Sequence, residues 1–181
     1  MVHLIDFGLS KEFRDAKTHR HFPMIPHNKP YGLVGTAIFT SINSHMGLEL
    51  GRKDDLESLA YVLIYLLRGA LPWQGLSSSP EILERKKCIS ASVLCHGLPI
   101  EFCMFFEYCR SLSFDHKPDY EHFINLFDNR LHHEPEGAPS NGLLFDLEAD
   151  KKVMEELVRD PELVKKSFKR KRAKALKFHT R

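Results

Sequence analysis

The run Leu56–Leu67, Leu-Glu-Ser-Leu-Ala-Tyr-Val-Leu-Ile-Tyr-Leu-Leu, constrains this chain more than any other segment. It contains no glycine or proline, Asp54 or Asp55 can cap its start, and Gly69 is placed to end it. Apolar side chains occupy nearly every face. A helix of that kind is a buried helix, so other elements must surround it. A chain of 181 residues with 43% hydrophobic content is long enough and apolar enough to supply them within one domain.

The segments available for that task read as helices. Ser79-Pro80-Glu81 has the form of a cap followed by proline in the first turn, opening a helix to about Ser90. Pro99 opens a second, with Phe102, Phe105, Phe106 and Cys109 on one stripe, and Pro118 a third, with Tyr120, Phe123, Ile124 and Phe127 as its apolar face. Ser44–Leu50 suits a short helical turn. Strand character is confined to Met1-Val2-His3-Leu4-Ile5, and Leu9 to Tyr31 is polar, proline-interrupted and aperiodic, which predicts a long functional loop. Gly137 to Gly142 reads as a linker, Leu147–Val158 as a helix, and Asp160-Pro161 as its interruption, with a further helical stretch beyond. The expected organisation is a domain over 1–135, a linker over 136–146 and a basic helical tail over 147–181.

Charge is unevenly placed. Residues 165–181 hold nine of the 26 Lys and Arg and no acid, which leaves the remainder 17 basic against 24 acidic side chains and a net of −7. No stretch approaches the ~20 apolar residues of a membrane span, and the N-terminus lacks the pattern of a secretory signal. A cytoplasmic or nuclear protein is expected. Cys88, Cys95, Cys103 and Cys109 form no C-x-x-C pair and suit reduced, core-filling thiols, and the eleven histidines show no metal-ligand spacing.

Asp6-Phe7-Gly8 follows the apolar run directly and precedes the long loop, which reaches Gly35-Thr36-Ala37-Ile38-Phe39-Thr40-Ser41-Ile42-Asn43 just before the buried helix. Further on come Arg52-Lys53-Asp54-Asp55-Leu56-Glu57-Ser58-Leu59, Leu71-Pro72-Trp73-Gln74-Gly75-Leu76, and Cys109-Arg110-Ser111-Leu112 with Phe114-Asp115 and Lys117-Pro118-Asp119-Tyr120. In this order, over about residues 2–130, these motifs resemble the casein kinase I family of serine/threonine protein kinases, entered at Asp-Phe-Gly. Ser-Ile-Asn stands where most protein kinases have Ala-Pro-Glu.

The resemblance implies a mainly α fold, the truncated C-terminal (large) lobe of the protein-kinase fold plus the basic tail. It implies ATP and Mg2+ as cofactors, with Asp6 as the magnesium ligand and Ile5 on the floor of the nucleotide pocket. Gly35 and Thr36 would belong to the substrate loop, Thr36 helping to place the substrate hydroxyl. Asp55 would tie the central helix to a catalytic loop, and Arg110 would hold the later helices against the substrate loop. Each has a plainer alternative: Asp6 as a turn residue, Asp55 as a helix cap, Arg110 as a solvated charge.

Phosphoryl transfer also requires a Gly-rich loop, a strand lysine and a catalytic loop with its base. These 181 residues contain no G-x-G-x-x-G and no His-Arg-Asp, so the expectation is a chain without catalytic residues of its own, inactive alone. A non-catalytic docking module for substrates or kinase-interacting proteins is the alternative. The helices missing from such a lobe would leave an apolar patch exposed and favour association. The family loop normally reads Gly-Thr-Ala-Arg-Tyr; here Ile38 occupies the arginine position, and Ser77-Ser78-Ser79 stand where basic residues are expected. An apolar side chain cannot form the paired, charge-assisted bonds that arginine makes with phosphate, which leaves the family's preference for already phosphorylated substrates open for this chain. Residues 165–181 suit a solvated charge run, a nuclear-import receptor or nucleic acid.

Overall fold

The computed structural model describes residues 3, 5–24, 33 and 35–132. The linker, the helix over Leu147–Val158 and the basic tail lie outside the described residues. Among the described residues six helices run in order: α1 Ile42–His45, α2 Arg52–Arg68, α3 Ser79–Cys88, α4 Ala91–Leu94, α5 Ile100–Ser111 and α6 Tyr120–His132. Among the described residues the β-type pairing is an isolated antiparallel bridge between Arg14 and His21. The fold is therefore mainly α.

The central helix begins earlier than its apolar run. Asp54 at its third position reaches back to accept the Gly51 N–H at 2.9 Å, which satisfies one of the orphan donors of the first turn. Asp54 is thus the capping carboxylate and Asp55 is not. Gly69 closes the helix at φ 74, a left-handed conformation that glycine adopts without steric cost. Gly51 is fixed by space instead of by dihedral angle: a Cβ there would lie 2.9 Å from the Phe114 carbonyl oxygen and 3.2 Å from its ring. The start of α2 is pressed onto the Phe114 segment.

Helix α2 buries Glu57, Ala60, Tyr61, Ile64 and Arg68, a single helical stripe. Its main neighbour is α5, whose Phe106 ring sits 5.5 Å from that of Tyr61, while Trp73 meets Tyr61 edge-on at 5.0 Å. The other side of α5 takes α6: Phe102 and Phe105 lie 5.0 and 5.8 Å from Phe127, and Phe105 lies 5.1 Å from Phe123. Cys95, Cys103 and Cys109 fill this core as free thiols, and Cys88 is free and exposed at the end of α3. Burial pushes the Cys109 thiol up to about 12, with Glu57 acting in the same direction.

Two expectations are corrected by this packing. The central helix is enclosed on one side only by the described residues: Leu59 is 46% and Leu66 71% exposed. The apolar face of α6 turns differently from the sequence expectation. Phe123 and Leu126 are buried, with Phe127 half-buried beside them, while Tyr120 and Ile124 face outward. Aromatic residues at helical spacing could not say which edge of the stripe α5 would cover.

The long loop also holds a compact turn that its irregular sequence hides. Asp15 accepts the Thr18 N–H at 2.6 Å and the Thr18 hydroxyl at 2.8 Å, and the Phe22 N–H donates to Phe13 O at 3.0 Å. This is an Asx-type turn. It seats Phe13 under the Arg52 guanidinium, 4.4 Å from its ring centre. His3 and Ile5 adopt no strand; the rest of the expected strand, Met1, Val2 and Leu4, lies outside the described residues.

Candidate functional site

Four sequence motifs separated along the chain meet in one buried cluster beneath the loop Gly35–Asn43. Its centre is Glu57 on α2. The buried Glu57 carboxylate accepts the Tyr61 hydroxyl at 2.6 Å and pairs with the Arg110 guanidinium at 3.7 Å, which is too long for a hydrogen bond. Arg110 on α5 then donates to the Lys86 carbonyl at 2.6 Å, the Ile89 carbonyl at 3.2 Å and the Tyr61 oxygen at 3.1 Å. Its plane lies over the Phe106 ring at 4.5 Å. One guanidinium thereby joins α5, α2 and the end of α3, a use of its planar fork that lysine could not match.

Lys86 carries the cluster up to the loop. Its side chain is fully buried, and its ammonium donates to Thr40 O at 2.5 Å and Ala37 O at 2.9 Å while facing the rings of Tyr61 and Trp73 at 4.8 and 5.3 Å. Burial pushes Lys86 down to about 7; Glu57 opposes that shift and Arg110 adds to it. Burial likewise raises the Tyr61 phenol, reinforced by Glu57 and opposed by Arg110. Trp73 Nε1 donates to the Ile38 carbonyl at 2.7 Å. The loop backbone is thus held at residues 37, 38 and 40 by two side chains from elsewhere in the chain.

His45 closes the arrangement from α1. Its Nε2 lies 3.2 Å from Lys86 Nζ and 3.1 Å from Ala37 O, and its Nδ1 lies 2.9 Å from Ser79 Oγ. Desolvation, with the Lys86 charge second, lowers its basicity, which favours the neutral ring. A neutral ring accepts from Lys86 at Nε2 and donates to Ser79 at Nδ1, or takes the opposite tautomer and donates to Ala37. Lys86 and His45 were missed in the sequence. A lysine in the Glu84-Arg85-Lys86-Lys87 run looks like any solvated charge, and only helical phase against the Gly35–Asn43 loop separates Lys86 from Lys87, which is exposed.

The residues singled out from the sequence are placed as follows. Arg110 lies in the cluster. Gly35, at φ 90, and Thr36 lie on the exposed rim of the loop, where the Thr36 carbonyl accepts the Phe39 and Thr40 N–H groups in a tight turn. Asp55 is on the open side of α2; partial desolvation raises its carboxyl, Asp54 adds to the effect and Lys11 opposes it. Ile38 is half-buried and packs against the core. Ser78 caps α3 through the Glu81 N–H.

Ile5 and Asp6 stand apart on the surface. Asp6 has φ 64, a left-handed conformation that aspartate tolerates better than most residues, and its carboxylate accepts the Gly8 N–H at 3.2 Å within its own turn. Among the described residues no three metal-ligating side chains gather. Among the described residues Asp6 is thus a single carboxylate with no group of metal-ligating side chains gathered to it. The same residues contain no helix long and apolar enough to cross a membrane. The basic segment 165–181 lies outside the described residues. A scan against protein-family models found none that matches the chain.

Proposed function

We propose that the chain is the substrate-docking part of a casein kinase I-like serine/threonine protein kinase, inactive alone because its nucleotide side is incomplete. What supports the reading most is the convergence of the motifs that carry the resemblance. Ile38 from the substrate loop, Glu57 from the central helix, Trp73 from Leu-Pro-Trp, and Arg110 from Cys-Arg-Ser-Leu are joined through Lys86 and Tyr61 into one cluster that fixes the loop backbone. Catalysis of phosphoryl transfer is chiefly positioning and electrostatics, so a loop that places a substrate hydroxyl needs a rigid seat.

Magnesium and ATP belong to this function through Asp6, with the phosphate-cradling residues supplied by a further segment or chain. The open side of α2, with Leu59 and Leu66, is the surface on which such a segment would pack. Ile38, inserted against the core where the family places arginine, leaves this face without a phosphate-pairing guanidinium; Ser78 and Ser79 serve α3 and His45. Substrates are accordingly proteins with unmodified serine or threonine. A non-catalytic docking module for such proteins is the second reading, favoured by a held loop backbone from which Asp6 stands apart.

The test is equilibrium binding of magnesium-ATP and of dephosphorylated casein to the 181-residue chain, with Asp6→Ala as control. Casein binding with no saturable ATP binding is expected. Failure to bind casein would contradict the docking role, and ATP binding lost in Asp6→Ala would contradict an incomplete nucleotide side.

A further inference from the structure

Lys86 and His45 meet in a geometry that uses every proton of one and a lone pair of the other. The Lys86 ammonium has three protons and three acceptors in reach: Thr40 O at 2.5 Å, Ala37 O at 2.9 Å and His45 Nε2 at 3.2 Å. The last of these accepts only while the ring is neutral with Nε2 bare, the tautomer in which Nδ1–H donates to Ser79 Oγ at 2.9 Å. His45 belongs to α1, four residues long, which continues directly from the loop through its Ser41 cap. The ring is half-buried and within reach of solvent protons, whereas the Lys86 side chain is fully buried.

We propose that His45 is an acid-operated latch on the Gly35–Asn43 loop: the neutral ring seats the loop on Lys86, and the protonated ring unseats it. A proton on Nε2 takes the third acceptor from the ammonium and leaves two cations 3.2 Å apart. Both then direct N–H groups at the same Ala37 carbonyl, from 3.1 and 2.9 Å. One of the pair must withdraw, and the surroundings decide which.

Lys86 of α3 is held from behind. Glu57 of α2 favours its charge, and the Tyr61 and Trp73 rings lie 4.8 and 5.3 Å from the ammonium. Arg110 of α5 adds positive charge on that side and already pairs with Glu57, so this carboxylate does not neutralise a second cation. On the His45 side, Ser79 of α3 offers a neutral hydroxyl and Lys86 is the charge that acts on the ring. His45 therefore swings outward with its short helix, and the Ala37 backbone is released with it. The latch rests on the geometry of this cluster and is independent of the kinase reading.

The working range follows from the sign of the linkage. Desolvation, then the Lys86 charge, holds the ring below its ordinary 6.5, so the unfolded chain takes the proton first. The latch is closed above pH 6.5 and loosens as pH falls below it. Lys86, near 7, already carries most of its proton throughout that range.

Trp73 is the sole tryptophan of the chain, fully buried with its indole N–H on the Ile38 carbonyl, and so reports the loop directly. Its emission is recorded on the full 181-residue chain from pH 6.5 to 5, beside the His45 ring resonance by NMR and the far-ultraviolet helix signal. A reversible red shift is expected with the midpoint of the His45 ring and an unchanged helix signal. Over the same range the exchange protection of the Phe39 and Thr40 amides, bonded to Thr36 O, should fall by about tenfold after correction for intrinsic rates. His45→Gln, which keeps a neutral polar group beside Lys86, should abolish both changes. Emission and protection that stay flat while His45 titrates, a red shift retained in His45→Gln, or helix loss with the same midpoint would each overturn the proposal. Should His45→Gln not fold, the unaltered chain decides alone, since midpoints of Trp73 and His45 that disagree contradict the latch.

Discussion

At the scale of single residues, Lys86 is the group whose chemistry most governs the loop. Its amine is held near 7 in the fold against an ordinary value of 10.5, so between these values the unfolded chain binds the extra proton and stability rises with pH. Lys86→Met, which cannot titrate, should show the stability difference from the unaltered chain moving in favour of lysine from pH 7 to 9.5, by up to about 1 kcal/mol per pH unit. Urea midpoints across that range measure it, and a flat difference would mean that the amine keeps its proton throughout. Arg110→Ala removes donors to two carbonyls and leaves the buried Glu57 without its guanidinium partner. A loss of about 3 kcal/mol or more is expected in chemical denaturation, partly recovered in the Glu57→Leu/Arg110→Met pair, because an apolar replacement of both partners leaves no buried charge.

At the scale of elements, the start of α2 is set by space. Gly51→Ala should cost about 1–3 kcal/mol, read as a lowered denaturation midpoint, since its Cβ would collide with the Phe114 backbone. Outward-facing Leu66→Ser should leave that midpoint within about 0.5 kcal/mol and reduce association at high concentration, which sedimentation would report. Helix existence was legible in the sequence wherever a proline or serine cap and an apolar period coincided, as at Ser79-Pro80 and Pro99. It was less legible where tertiary packing chose among apolar candidates: α6 buries Leu126 instead of Ile124, and α1 begins at Ile42 under a Ser41 cap instead of at Ser44. The Asp15–Thr18 turn was hidden because a side chain closing a turn leaves no periodicity. Arg110 was visible through its motif, whereas Lys86 needed the three-dimensional phase of α3 to distinguish it from its charged neighbours.

At the scale of the whole molecule, a polar cluster joins four helices to one loop, and a second, apolar layer between α5 and α6 supports it from behind. The loop is thus held at residues 37, 38 and 40 and exposed at Gly35 and Thr36, an arrangement that suits the proposed docking role. Catalysis, on this account, awaits the phosphate-holding residues that the 181-residue sequence lacks. The most direct measurement is therefore complementation: a separately produced casein kinase I segment spanning the Gly-rich loop, strand lysine and catalytic loop is added to the chain with magnesium, ATP and dephosphorylated casein. The account predicts γ-phosphoryl transfer to serine or threonine only from the combined pieces, abolished by Asp6→Ala with the folded state intact. Transfer indifferent to Asp6→Ala, or a complementing segment that binds the chain without yielding any transfer, would contradict it.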